Sequence, residues 1–165
     1  YHYKSAYNVG ITMAVDEDPI YGKCSKGRDK AMSGKLSDEE RLAVVDYRLA
    51  RARATLEEAD YMRDGGFYNS AVNRLYYACY YAASALLVAN GIEVMTHAGV
   101  RNQLYMHFVR TRRLSLDHCA TFSLLFEKRH SGDYSDFVYC DFETVDVLRP
   151  RAEAFIDDVA GLLWA

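Results

Sequence analysis

From Ser37 onward the chain keeps a helical beat. Apolar residues recur at Leu42, Val45, Leu49, Ala52, Leu56, Ala59 and Met62, in alternating steps of three and four. An α-helix turns once every 3.6 residues, so that spacing lays them along one face. Ser37-Asp38-Glu39-Glu40 opens the segment as a capping box: the serine hydroxyl takes an orphan amide and the glutamate reaches back. Gly65-Gly66 closes it, about 27 residues later. A helix that long points to a bundle member. Arg48, Arg51, Glu57, Glu58 and Asp60 are expected on its wet side.

The same period returns four more times. A second helix is expected from about Phe67 to Asn90, with Ala71, Val72, Leu75, Ala78, Ala82, Ala83, Ala85, Leu86, Leu87 and Ala89 around most of its circumference. That makes it the central helix, ended by a left-handed cap at Gly91. Thr96 caps a third, from about His97 to Thr111. A fourth spans about Ser115 to Arg129, packed through Leu116, Ala120, Leu124 and Leu125 and broken by Ser131-Gly132-Asp133. The last begins near Asp141 to Thr144 and carries Val145, Leu148, Ala152, Phe155, Ile156, Val159 and Leu162. Pro150 lacks an amide hydrogen and is expected to kink or restart it. The fold class is all-α, an up-and-down bundle of four to five helices.

Residues 1–31 have no sustained period of either kind, and Val9 to Val15, the one strand-like run, has no evident partner. They read as an N-terminal extension outside the fold, with Met32 as a natural start and 32–165 as the domain. A net charge of −3 excludes a surface coated for nucleic acid; only a local basic patch can serve that purpose. No run of eighteen apolar residues occurs, so no membrane span is expected, and the expected setting is cytoplasmic. Cys24, Cys79, Cys119 and Cys140 make no Cys-x-x-Cys pair and no His spacing suits zinc. Neither a metal nor a cofactor is expected, and the thiols read as reduced and structural.

Three tracts carry the chemistry. Asn73-Arg74-Leu75-Tyr76-Tyr77-Ala78-Cys79-Tyr80-Tyr81 places four tyrosines at i, i+1, i+4 and i+5, two adjacent rows on one side of a helix. Such rows serve a core with bonded hydroxyls, or a cleft where hydroxyls and Arg74 meet an anion or base. Thr96-His97-Ala98-Gly99-Val100-Arg101 sets an imidazole in a first helical turn with a guanidinium four residues on. Free amides there favour a phosphate. Arg110-Thr111-Arg112-Arg113, with His107, extends the positive region as a phosphate-backbone contact or a solvated turn. In Arg129-His130-Ser131-Gly132-Asp133-Tyr134, Asp133 can take the Arg129 guanidinium and Tyr134 can tuck under the bundle.

Together, Phe67 to Ala78, the Ala-Leu-Leu run ending at Gly91, Thr96 to Arg101 and Arg129 to Tyr134 resemble the HEPN domain (higher eukaryotes and prokaryotes nucleotide-binding), in its stand-alone prokaryotic branch. The resemblance covers about residues 37–163. It implies a helical bundle that usually forms homodimers and is often encoded beside a minimal nucleotidyltransferase, in toxin–antitoxin or defence pairs. Many such proteins are metal-independent ribonucleases whose signature is an Arg, four to six residues, then a His. There the histidine moves protons and the arginine stabilises phosphorane charge. Here the aligned arginine is Arg129, but Tyr134 stands five residues on and His130 directly beside it. A tyrosine with a pKa near 10 is a poor base at neutral pH, and an i+1 neighbour points about 100° away. Further Arg-to-His spacings, Arg101 to His107 and Arg113 to His118, lie away from the family's position.

The reading that results is a dimeric nucleotide- or RNA-binding or partner-interaction module, with Arg74, Tyr77, His97, Arg101, Arg129, Asp133 and Tyr134 lining or bracing its cleft. The alternative is an endoribonuclease with a rearranged pair, His97 or His130 as base and Arg129 or Arg74 as phosphate clamp. A third class is a purely structural dimerisation module.

Overall fold

The computed structural model describes residues 36–134 and 139–164, without the side chains of 130–134. The expected extension over 1–31 therefore lies outside the described residues. The described part is all-helical: α1 (Asp38–Asp64), α2 (Tyr68–Ala89), α3 (His97–Leu104) continued by a π turn (Tyr105–Val109), α4 (Leu116–Tyr134) and α5 (Phe142–Leu163).

Local chemistry sets the ends. Ser37 Oγ accepts from the Glu40 amide at 3.2 Å while Glu40 accepts from the Ser37 amide at 2.8 Å, completing the capping box. Three acidic side chains, Asp38, Glu39 and Glu40, then sit in the positive first turn. The helix α1 ends on Gly66 at φ 79°, where the Phe67 amide reaches back to the Met62 carbonyl and the Gly66 amide to Arg63. The end of α2 repeats the device: Gly91 has φ 70°, with Ile92 N–H to Leu87 and Gly91 N–H to Val88. Both are Schellman closures, which need a left-handed residue that glycine supplies without steric cost. Thr96 Oγ1 accepts the Gly99 amide at 3.0 Å and starts α3.

Helix α2 is the hub, packed against α1, α3, α4 and α5. Ala71, Ala78, Ala82, Ala83 and Ala85 are fully buried along it and let those neighbours approach closely. The core is completed by Leu75, Tyr76, Leu86 and Leu87 of α2, Phe122 and Leu125 of α4, and Phe155 and Ile156 of α5. Phe122 lies nearly parallel to Phe155 at 5.7 Å and to Tyr76 at 5.8 Å, so one stack of rings runs through three helices.

Sequence expectations change in four helices, beginning with α1 and α4. In α1, Val45, Ala52, Leu56 and Ala59 are buried, but Leu42 and Met62, at the ends of the stripe, are exposed. The wet side of α1 is only partly wet, because α1 meets two helices. Arg48 donates to the Ser84 carbonyl at 3.2 Å, and Asp60 accepts from Arg149 of α5 through Nε at 3.0 Å and Nη2 at 3.1 Å. The packing face of α4 is rotated from the expected one: Leu116 is 72% exposed, whereas Thr121, Phe122 and Leu125 are buried. Helix α4 also continues through Ser131-Gly132-Asp133 to Tyr134. One glycine inside a helix costs about 1 kcal/mol, too little to end one by itself.

The other two helices that differ are α3 and α5. Regular α-helix stops at Leu104, and the π turn that follows buries both Phe108 and Val109 before the chain turns at Arg112, whose φ is 60°. Helix α5 runs unbroken past Pro150. The missing amide hydrogen leaves the Asp146 carbonyl without its usual partner, but Asp146 and Pro150 are exposed and water reaches that side.

The rotated α4 face makes a test. Phe122→Ala should lower the unfolding free energy by about 3–5 kcal/mol in urea denaturation, whereas Leu116→Ala should change it by less than about 0.5 kcal/mol. Comparable losses at both positions would contradict the face assigned to α4.

Candidate functional site

The site is built on the tyrosine rows of α2. Tyr76 sits at the bottom, fully buried, and Tyr77, Tyr80 and Tyr81 are half-buried above it. Helix α3 starts beside them. Because Thr96 holds its N-terminus, His97 falls in the first turn and its ring enters the tyrosine cluster. Its Nδ1 lies 2.7 Å from the Tyr76 hydroxyl. The Tyr80 ring stacks on it with centroids 4.3 Å apart at 29°, and Tyr77 meets it edge-on at 5.9 Å. Gly99 makes this turn possible: a Cβ there would lie 2.6 Å from Val94 Cγ1 and 2.9 Å from Thr96 Oγ1.

Helix α4 brings Arg129. Phe122, Phe126 and Arg129 follow at steps of four and three, one row on one face. Phe122 stacks on Tyr76, Phe126 meets it edge-on at 6.0 Å, and Arg129 Cζ sits 5.1 Å from the Tyr76 centroid and 5.6 Å from that of Tyr77. From the α2 side, Arg74 Cζ lies 5.1 Å from the Tyr77 centroid. Tyr77 thus carries two guanidiniums, a cation–π arrangement worth about 0.5–2 kcal/mol per contact depending on desolvation.

The two arginines differ in how their charge is met. Arg74 pairs with Glu58 at 3.5 Å, and Glu58 also takes Arg51 at 2.9 Å. Arg129 Nη1 is buried and has no hydrogen-bond partner among the described residues. A guanidinium nitrogen in that state is a donor waiting for an acceptor. Tyr76 feels both burial and this cation. Burial pushes its phenol up to about 12, against the Arg129 charge, which draws it down. The phenol therefore stays protonated at neutral pH.

Of the seven sequence-predicted ligand residues, the structure brings together Arg74, Tyr77, His97 and Arg129. Arg101 stands next to them, over the Phe126 ring at 4.6 Å, and lines a neighbouring groove of about 400 Å³ with Asn102, Tyr105, Met106, Cys119 and Ser123. Burial pushes the Cys119 thiol up, with Ser123 and Arg101 opposing it. The side chains of Asp133 and Tyr134, and of His130, lie outside the described residues. The Arg110-Arg112-Arg113 cluster is elsewhere, at the far end of the α3 and π segment, roughly 20 Å of helical rise from His97. Arg113 is held over Phe108 at 4.9 Å and Arg110 contacts Met106 Sδ at 3.4 Å, so this cluster does not extend the site.

The seven leave out Tyr76 and Tyr80, which the tyrosine tract singled out only as a row, and sequence reasoning missed Phe126 and Glu58 as members of the site. Phe126 was visible as the helical neighbour of Arg129 at i−3. Glu58 carried no signal, since its pairing with Arg74 arises from the docking of α1 on α2. Among the described residues no group of three or more His, Cys, Asp or Glu comes together to hold a metal ion, and no helix is long and apolar enough to cross a membrane.

The model of the HEPN domain family matches residues 45–162. The chain belongs to the HEPN domain family. It is 34% identical over 124 residues to a UPF0332 protein of Thermotoga maritima, covering 75% of this chain and 94% of that one. A relative from Methanocaldococcus jannaschii named "Putative toxin MJ0142" is 25% identical, over 66% of this chain and 74% of its own length. The crystal structure of an archaeal HEPN homologue superposes with a TM-score of 0.60 at 22% identity, over 72% of this chain and 97% of that one, a likeness of fold.

Tyr76 generates a pH prediction. Its folded pKa stands above the ordinary value of 10, so the buried phenol contributes stability that is complete below about pH 10 and lost as the pH rises toward about 12. Chemical denaturation across that window should show unfolding free energy falling in the native protein and falling less in Tyr76→Phe. Equal slopes would show that Tyr76 ionises as it does in the unfolded chain.

Proposed function

We propose that this HEPN-domain protein is a binding module for a phosphate-bearing ligand, a nucleotide or RNA, that acts as a homodimer paired with a minimal nucleotidyltransferase in a toxin–antitoxin or defence-type system. One observation carries the binding part: Arg129, whose buried Nη1 has no hydrogen-bond partner among the described residues, converges with His97 and Arg74 on the Tyr77 ring. Guanidinium donors above aromatic faces suit phosphate and base together. The toxin name of a relative supports the wider setting, and the pairing is what the resemblance to the HEPN domain implies.

A second reading, a metal-independent endoribonuclease, draws on the approach of His97 to the tyrosines that hold Arg129. It would place His97 as base and Arg129 as phosphate clamp.

Thermal unfolding separates the two. ATP or a short single-stranded oligoribonucleotide at about a hundredfold its Kd should raise the melting temperature by about 5–10 °C, and Arg129→Ala should lose most of that rise relative to its own ligand-free value. A flat titration with both ligands sinks the binding reading. The same oligoribonucleotide should remain intact in EDTA at micromolar protein. Cleavage that disappears in Arg129→Ala would establish the endoribonuclease instead.

A further inference from the structure

The groove between α3 and α4 is built by helical spacing. Arg101 and Tyr105 are four residues apart, as are Asn102 and Met106, so each pair shares a face of the α3 segment. Cys119 and Ser123 repeat that spacing on α4. Together they line about 400 Å³, a volume that suits a small ligand, with one cation and no carboxylate among them. The π turn buries Phe108 and Val109, while Tyr105 and Met106 stay 44% and 47% exposed.

Arg101 gives the groove its charge. Arg51, Arg53, Arg63, Arg74 and Arg149 each meet a carboxylate. Among the described residues Arg101 meets none and makes no hydrogen bond; its guanidinium is held over the Phe126 ring at 4.6 Å. The groove is also continuous with the tyrosine site. Phe126 meets Tyr76 edge-on at 6.0 Å, and Arg129 stands over Tyr76 at 5.1 Å. Two guanidiniums on adjoining rings match a ligand with more than one phosphate along its length.

We propose that this groove is the subsite for a second nucleotide of single-stranded RNA. Arg101 takes the phosphate that links it to the nucleotide at Arg129, Tyr105 and Met106 cover its base, and Asn102 and Ser123 lie along the base edge. Only an unpaired base offers a face to such side chains. The assignment rests on the binding reading above and narrows it, because a mononucleotide would leave the groove unused.

The test is fluorescence anisotropy of a labelled adenine hexaribonucleotide with the full chain, and competition by AMP. The hexamer should bind at least about tenfold tighter than AMP. Arg101→Ala and Tyr105→Ala should each weaken the hexamer about tenfold and leave AMP within about twofold. Arg101→Ala should also flatten the slope of log affinity against log salt by about 0.7, the loss of one phosphate contact on a single strand. If Arg101→Ala does not fold, Tyr105→Ala decides, since that side chain is exposed. Hexamer binding that is lost in Arg129→Ala but unchanged in Arg101→Ala and Tyr105→Ala overturns the subsite and leaves the binding reading standing. Binding of neither hexamer nor AMP overturns both. A dimer that becomes a monomer on size exclusion in Tyr105→Ala would make the groove a contact between two copies of the chain, which also overturns the subsite.

Discussion

The burial of one tyrosine ring organises this protein. Tyr76 stacks on Phe122, which stacks on Phe155, and it meets Phe126, Tyr77, Tyr80 and His97 at its edges and faces. The stack ties α2 to α4 and α5, and the hydroxyl ties α2 to α3. A phenol is suited to the place because its body is apolar and its tip is polar, so the same residue can belong to the core and to the wall of a polar cluster. Phenylalanine would fill the volume and leave His97 Nδ1 without its bond. The site is therefore continuous with the core.

Capping chemistry delivers the remaining groups. The two glycine closures, after α1 and after α2, set where the chain turns, and Thr96 then determines which residue opens α3. Moving that start by one residue would turn the His97 ring about 100° away from Tyr76. Arg129 is placed differently. It lies inside α4, not at its end, and a continuous helix carries Phe122, Phe126 and Arg129 to the tyrosines as one rigid row. The latch between Arg149 and Asp60 holds α5 on α1, while α3 and α4 bring His97 and Arg129 to the tyrosine rows and α1 adds Arg51 over Tyr81.

Much of this was legible in the chain. The all-helical class, the near-complete burial of α2, the capping box and the glycine closures each rest on local chemistry, in which a residue's neighbours in sequence are also its partners. The faces of α4 were less so. Leu116, Ala120, Leu124 and Leu125 form one plausible stripe, and Thr121, Phe122 and Leu125 form another; aromatic volume favoured the second once Tyr76 and Phe155 were there to stack on it. The run through Ser131-Gly132-Asp133 and the unbroken passage of Pro150 show the same limit, since a weak local breaker yields when the segment around it is packed.

The candidate site divides along similar lines. Residue types and spacing singled out Arg74, Tyr77, His97, Arg101 and Arg129 as chemistry-bearing, because a tyrosine ladder and a histidine in a first helical turn are local patterns. Sequence alone also determined that these residues lie on helices. Only the tertiary structure decided that Arg129 and His97 reach the same pair of rings while Arg101 is held one ring away on Phe126, and that Glu58 occupies Arg74. The reason is physical: periodicity assigns each side chain to a face of its own helix, whereas the distance between two such faces depends on how closely the helices dock. The buried alanines of α2 and the single ring of Tyr76 set that distance here.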